Sequence, residues 1–394
     1  MNNHTLTHQY LWHSIGRSLA AAALLAATMV SLNAGAAELP DPLALNYHLM
    51  HPGGDSKPGD PNAAFHLDGT YHLHYILSHP WTVKGKTRKG FSFAHVTSPD
   101  MLHWTWQRTK LQPSFTSHGM YSGTGFLTKE GKPAAIYHGA GSGRNQIAIA
   151  KNRELSAWEK PFPVEPRTPD GQQAAIKHWD PDCFRIGDSY YAFSGGRNPP
   201  LLKSTDLKNW THIGDFMSHE PDDVAIGEDI SCGNFFSIGD KWMLLCISHP
   251  FGCRYYLGDW DAEAEQFIPE THSRMNWRSD DQDADSPEEY RDFFAPESVL
   301  TQDGRRVMWA WLTTLEDNAL RAESVLSLPR ELSLRSDGTL RIEPLRELDG
   351  QRFDPAVIEN VRVAPKYRTA GGEALTPITE LTNDAVNSYH GRSC

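Results

Sequence analysis

Cysteine is scarce in this chain, and the five present are an odd number, so no pairing scheme can use them all. Cys246 and Cys253 flank an expected hairpin tip at residues 247–252 and are placed to bridge its strands. Cys183 and Cys232 fall on approach segments of adjacent repeats and read as buried thiols. No Cys or His spacing resembles a zinc site. Positive charge is also short: 37 Lys and Arg against 49 Asp and Glu leave a net charge of −12. That deficit argues against nucleic acid and anionic membranes as partners, since both need a basic surface. Helical periodicity longer than a turn or two is missing. After the first 37 residues, no run is long and apolar enough to cross a bilayer.

Those first residues have their own pattern. Arg17 precedes an Ala- and Leu-rich run at residues 18–32, followed by Ala34-Gly35-Ala36-Ala37. This is the layout of a cleaved secretory signal, with an uncleaved N-terminal anchor as the other reading. Either way the remainder is expected outside the cytoplasm, secreted or periplasmic, and free of the membrane once the signal is cut. Twelve tryptophans are the other surplus. Indole faces stack well on sugar rings, although most tryptophans of an all-β protein belong to its core.

The organising feature is a repeat. Five times an apolar strand runs into a glycine turn and a second apolar strand, at Asp68-Gly69, Glu130-Gly131, Gly187-Asp188, Gly239-Asp240 and Asp303-Gly304. The glycines are 62, 56, 52 and 65 residues apart. Periods of this size mark small sheets that bury their faces only against neighbours. The spacing therefore predicts an all-β fold, a five-bladed β-propeller over residues 38–349. A second repeat supports it. Ser98-Pro99-Asp100-Met101-Leu102-His103-Trp104 is echoed by Ser204-Thr205-Asp206-Leu207-Lys208-Asn209-Trp210, and more loosely around Trp158 and Trp260. These tryptophans are expected to mark one packing position near the outer strand of successive blades. Residues 350–394 are too few for a two-sheet sandwich and read as a tail, a strap or the stub of a further module. The acidic stretch at residues 280–285 starts like a calcium loop. Ser286 where glycine is wanted and Asp292 in place of glutamate make it an acidic surface loop instead.

Three approach segments carry acids: Asp60, Asp180 and the pair Glu228/Asp229. In a propeller the first strands converge on the axis, so acids distant in sequence meet in one funnel. Cleaving a glycosidic bond needs a proton donor for the leaving oxygen, and a second carboxylate that attacks the anomeric carbon or activates water. A funnel with three acids fits that chemistry, and it fits calcium binding almost as well.

Several motifs in order resemble glycoside hydrolase family 32, the invertases, levanases and inulinases that split β-fructosides. They are Tyr47-His48-Leu49-Met50, Gly59-Asp60-Pro61-Asn62, Tyr121-Ser122-Gly123-Thr124-Gly125, Trp179-Asp180-Pro181, Phe294-Ala295-Pro296-Glu297 and Leu326-Ser327-Leu328-Pro329-Arg330-Glu331-Leu332. The resemblance runs from about Asn46 to Leu345 and implies a retaining β-fructosidase that needs no cofactor or metal. It implies Asp60 as nucleophile and Asp180, beside Trp179 where the family has Arg, as stabiliser of the oxocarbenium-like transition state. The family's acid/base frame, Glu-Cys followed by Asp and an aromatic, is occupied here by Ser231-Cys232-Gly233-Asn234-Phe235. The nearby acids Glu228, named first for its reach, and Asp229, on the same strand face as Ser231, are the candidate donors. Asn62, Ser122, His178 and Glu297 are candidate groups for sugar hydroxyls. The expected partner is an oligo- or polysaccharide. The altered frame leaves room for fructosyl transfer, for an arabinoside, or for a carbohydrate-binding propeller without hydrolysis.

Overall fold

In the computed structural model, which describes residues 48–49, 57–275, 293–313 and 324–351, each of the five glycine turns joins the first two strands of a separate sheet. The leader at 1–37, the acidic stretch at 280–285 and the tail beyond residue 351 lie outside the described residues. The turn glycines have φ between 56° and 82°. This is the left-handed region that a Cβ disfavours, and it is why glycine recurs at this point of the repeat.

Blade one is β1 (Lys57–Leu67), β2 (Thr70–Val83), β3 (Lys86–Ser98) and β4 (Thr105–Gln107). Blade two is β5 (Gly119–Leu127), β6 (Pro133–Ala140), β7 (Arg144–Ile149) and β8 (Phe162–Pro163). The short β9 (Pro166–Arg167) then pairs in parallel with the outer edge of blade three. That blade is β10 (Asp182–Ile186), β11 (Ser189–Phe193), β12 (Pro200–Ser204) and β13 (Trp210–Asp215). Blade four is β14 (Ser231–Ile238), β15 (Lys241–Ser248), β16 (Gly252–Asp261) and β17 (Gln266–Arg274). Blade five is β18 (Phe294–Leu300), β19 (Arg306–Thr313), β20 (Ser324–Leu326), β21 (Arg330–Leu334) and β22 (Leu340–Pro344). The first strands β1, β5, β10, β14 and β18 touch one another in turn, and β18 touches β1. The sheets thus close into a ring, the five-bladed propeller that the glycine spacing predicts. The described helices are a single turn at Pro113–Thr116 and a 3-10 segment at Arg346–Gln351.

Packing follows from the period-two alternation of strands buried on both faces. Along β15, Met243, Leu245 and Ile247 enter the cluster shared with blade five, while Leu244 and Cys246 enter the one shared with blade three. Five such apolar clusters fill the five interfaces between blades. Each fully buried Leu or Phe there contributes about 2 kcal/mol. Truncating Leu244 to Ala is expected to cost about 2–5 kcal/mol. Closure is sealed from the N-terminal side, where Leu49 packs among blade-one and blade-five residues and its carbonyl accepts the Leu326 amide at 3.1 Å.

The same alternation corrects the expected disulfide. Cys246 pairs across the hairpin with Arg254, and Cys253 pairs with Ile247. The two sulfurs therefore face opposite interfaces, and both cysteines are thiols. The tryptophan repeat holds for three positions: Trp104 precedes β4, Trp158 bridges Ala150 just before β8, and Trp210 opens β13. Trp260 differs, because it still belongs to the third strand of its blade.

Candidate active site

The first strands are irregular at one level of the ring. Register shifts interrupt β1 between Asn62 and Phe65, β5 between Met120 and Gly123, β14 between Ser231 and Asn234, and β18 between Phe294 and Glu297. Four non-glycine residues with positive φ lie on these approach segments: Ala63 (33°), Asp180 (26°), Cys232 (47°) and Ala295 (45°). Backbone held this way costs of order 1–3 kcal/mol per residue and persists where the surroundings enforce it, commonly at functional sites. At Gly123 a Cβ would lie 2.0 Å from the Ile136 carbonyl oxygen, so only glycine allows the β5 bulge beside Ser122.

The bulges turn side chains of separate blades toward one another. Ser122 donates to Asp60 Oδ2 at 2.5 Å, linking blade two to blade one. Cys232 Sγ of blade four lies 3.8 Å from Asp60 Oδ2 and 3.6 Å from Asp180 Oδ2. Asp60 and Asp180, 120 residues apart in the chain, thus flank one sulfur. Burial raises the Asp60 pKa, against the lowering effect of the Ser122 hydrogen bond. Burial, reinforced by the charge of Asp60, raises that of Asp180 to about 6. Burial also pushes the Cys232 thiol well above its ordinary range, with both carboxylates adding to the effect. This sulfur is held protonated and fills space between the acids.

The two candidate donors part company. Glu228 is 2% exposed and is gripped by Arg274 through both oxygens and by Arg254 Nη1 at 3.0 Å. Its burial is outweighed by these partners, and its pKa falls to about 2. A carboxylate in that state has no proton to give at neutral pH. The expectation that Glu228 is the first-choice donor is corrected: it is the anion of a buried ion-pair cluster within blade four. Asp229 does share the face of Ser231, whose hydroxyl donates to Asp229 Oδ2 at 3.1 Å. Both of its oxygens are spent. Oδ1 accepts the His249 amide at 2.9 Å, and Oδ2 lies 2.7 Å from His249 Nδ1. Asp229 is likewise held at about 2, the His249 contacts outweighing burial, so it too is corrected as a direct donor. Ser231 is wholly buried and receives the Trp179 indole N–H at 3.1 Å.

Asn62 and Glu297 are corrected as sugar-binding groups, because both serve the ring itself. Asn62 accepts the Gly123 amide at 2.7 Å and donates to the Asp60 carbonyl at 2.7 Å. Thr124 of blade two donates to Asp182 at 2.5 Å, and Asp182 accepts the Phe235 amide of blade four at 2.7 Å. Asn234 donates to Glu297 at 3.1 Å, and Glu297 accepts the Ala64 amide of blade one at 2.9 Å. These contacts run through all five first strands and close on blade one. Glu297 is 1% exposed, and burial drives its pKa well up. His178 is half-buried, accepts the Asn145 amide at 3.1 Å, and is kept neutral by burial with a pKa of about 4. Ser122 touches the Asp60 carboxylate directly. Sequence reading missed Asp182 and His249. Asp182 follows the Asp180-Pro181 motif by one residue and was legible by proximity. His249 sits on the turn between β15 and β16 in no motif at all.

The comparisons agree with this architecture. The family model for the glycosyl hydrolases family 32 N-terminal domain matches residues 57–344. A sucrose-6-phosphate hydrolase of Vibrio alginolyticus is 27% identical over 327 residues, which are 76% of this chain and 63% of the relative. A raffinose invertase of Escherichia coli is 27% identical over 353 residues, 80% of this chain and 68% of the relative. The chain thus spans under two thirds of the length of the first of these relatives. Among solved structures, a sucrose-6-phosphate hydrolase of Lactobacillus gasseri has the same fold, with a TM-score of 0.62 at 19% identity over 87% of this chain and 70% of that one. With its propeller matched almost from the first described strand to the last, the chain belongs to glycosyl hydrolases family 32.

Proposed function

We propose that this protein hydrolyses terminal β-fructofuranosyl bonds with retention, through a covalent fructosyl-enzyme intermediate. Asp60 attacks the anomeric carbon, and Asp180 accepts hydrogen bonds from the sugar hydroxyls and balances the positive charge that develops on the ring. The observation that carries the reading is the meeting of Asp60 and Asp180 at Cys232, with Ser122 holding the Asp60 carboxylate. The names of the relatives, hydrolases of sucrose-6-phosphate and an invertase of raffinose, support a fructoside as substrate. Export before action is part of the proposal, on the signal-like pattern of residues 1–37.

Incubation with sucrose, inulin and levan tests it. Free fructose is expected from at least one of them, and Asp60→Asn is expected to abolish release. Ser231 at the donor position favours a second reading, a propeller that binds fructosides without cleaving them. Tight binding of these sugars with no fructose released, by wild type as by Asp60→Asn, would establish that reading instead.

A further inference from the structure

Resting on the hydrolase reading above, the geometry points to His249, oriented by Asp229, as the general acid and base that replaces the missing carboxyl donor. A chain of contacts ties this histidine to the carboxylate funnel. Cys232, whose sulfur lies between Asp60 and Asp180, directly follows Ser231. Ser231 donates to Asp229 and receives the indole of Trp179, the residue before Asp180. The His249 ring is 6.4 Å from the Trp179 ring and 6.1 Å from that of Phe294, which opens the first strand of blade five. The histidine therefore stands at the end of the ring where the approach segments enter, between blades three and five.

Its chemistry suits the role. Asp229 accepts both the backbone amide and Nδ1 of His249, at 2.9 and 2.7 Å. That double contact sets the tautomer with hydrogen on Nδ1 and assigns proton transfer to Nε2. The Asp229 backbone is fixed in turn, because Arg254 donates to its carbonyl at 2.5 Å. The His249 side chain is 38% exposed and its charge acts on both Asp60 and Asp180, whereas Ser231 is sealed and Glu228 is locked to arginines. Among the described residues, the charged groups near the imidazole are Asp229 on its own blade and Asp60 and Asp180 at the funnel, anions that attract a cation there when ionised.

The proton and electron pairs balance over two steps. First, an Asp60 oxygen forms a bond to the fructosyl anomeric carbon as the bond to the leaving oxygen breaks, and that oxygen takes the proton from His249 Nε2. Second, water attacks the same carbon, neutral Nε2 takes its proton, and the ester bond to Asp60 breaks to restore the carboxylate. Asp229 is a positioning residue: it holds the ring and stabilises the imidazolium without touching substrate.

The test is His249→Gln compared with wild type on sucrose, inulin or levan and on para-nitrophenyl β-fructofuranoside, whose leaving group departs without a proton. On the natural sugar the variant is expected to lose about 100- to 10,000-fold in kcat/KM. On the aryl fructoside it keeps the first step, and added azide, a nucleophile that needs no deprotonation, restores turnover and yields fructosyl azide. Asp229→Asn should lower activity on the natural sugar and alter the alkaline limb of its pH profile, again sparing the first step on the aryl substrate. A variant that cleaves the natural sugar within a few-fold of wild type overturns the assignment. So does an equal loss on both substrates without azide rescue, or a wild type that cleaves only the aryl fructoside. If wild type releases fructose from neither kind of substrate, the hydrolase reading itself has failed.

Discussion

Ser122 of blade two donates its hydroxyl proton to Asp60 of blade one at 2.5 Å. A carboxylate buried as deeply as this one is drawn toward its neutral form, and the hydroxyl resists that drift. Ser122→Ala removes the one bond and leaves the burial. The Asp60 pKa should rise further, so the acid limb of the kcat/KM profile moves to higher pH. On the acid limb the loss is expected to be about tenfold, narrowing as pH rises. A pH–rate profile checks this, and an acid limb that stays in place would contradict it.

At Asp180 the proposed role opposes stability. Its pKa is raised to about 6 by burial and by Asp60, so the folded protein binds this proton more tightly than the unfolded chain does. Stability from this group is fullest below the ordinary carboxyl pKa of 3.8 and is lost as pH rises through about 6. Asp180→Asn should therefore stabilise the protein by about 2 kcal/mol at pH 7, less near pH 4, while abolishing fructose release. Because Asp60 and Asp180 titrate as a coupled pair, the pH profile reports values of the pair. Urea unfolding at the two pH values tests the sign.

Glu228 carries the opposite expectation. Its pKa is lowered to about 2 by Arg274 and Arg254, so its contribution is present above the ordinary value of 4.5 and lost as pH falls toward 2. Glu228→Gln leaves two guanidinium groups without their buried counter-charge, and a cost of about 3–5 kcal/mol is expected at neutral pH. A large drop in melting temperature with a kcat within a few-fold of wild type fits a structural anion. Loss of kcat by orders of magnitude in folded protein would return Glu228 to the chemistry.

Gly123 tests the bulge. A Cβ there meets backbone at Ile136 and Tyr137. Gly123→Ala should force β5 away from β6, displace Ser122 from Asp60, and lower both melting temperature and kcat. Unchanged kinetics would show that the bulge is not what aims Ser122.

The ring and its two central acids were legible because they depend on local signals. Turn glycines recur wherever a left-handed φ is needed, and Asp60 and Asp180 each stand beside a proline in a recognisable approach segment. Strand alternation also placed Asp229 with Ser231 correctly. The fate of Glu228 was not legible, since its partners lie 26 and 46 residues onward, on the third and fourth strands of the same blade. Asn62 and Glu297 looked like polar groups in search of a sugar. They are bonded instead to backbone and side chains of neighbouring blades, a pairing that only closure of the ring creates. The cysteine pairing failed on a one-residue register, which puts Cys246 and Cys253 on opposite faces.

The central claim, that Asp60 attacks a fructosyl carbon inside the ring, is tested most directly by acid-quenching the enzyme during turnover of para-nitrophenyl β-fructofuranoside and mapping its peptides by mass spectrometry. One anhydrofructose unit on the peptide that contains Asp60, absent from Asp60→Asn, is the predicted result. Turnover that leaves this peptide unmodified, with the adduct on another acid or inverted fructose as product, would contradict it.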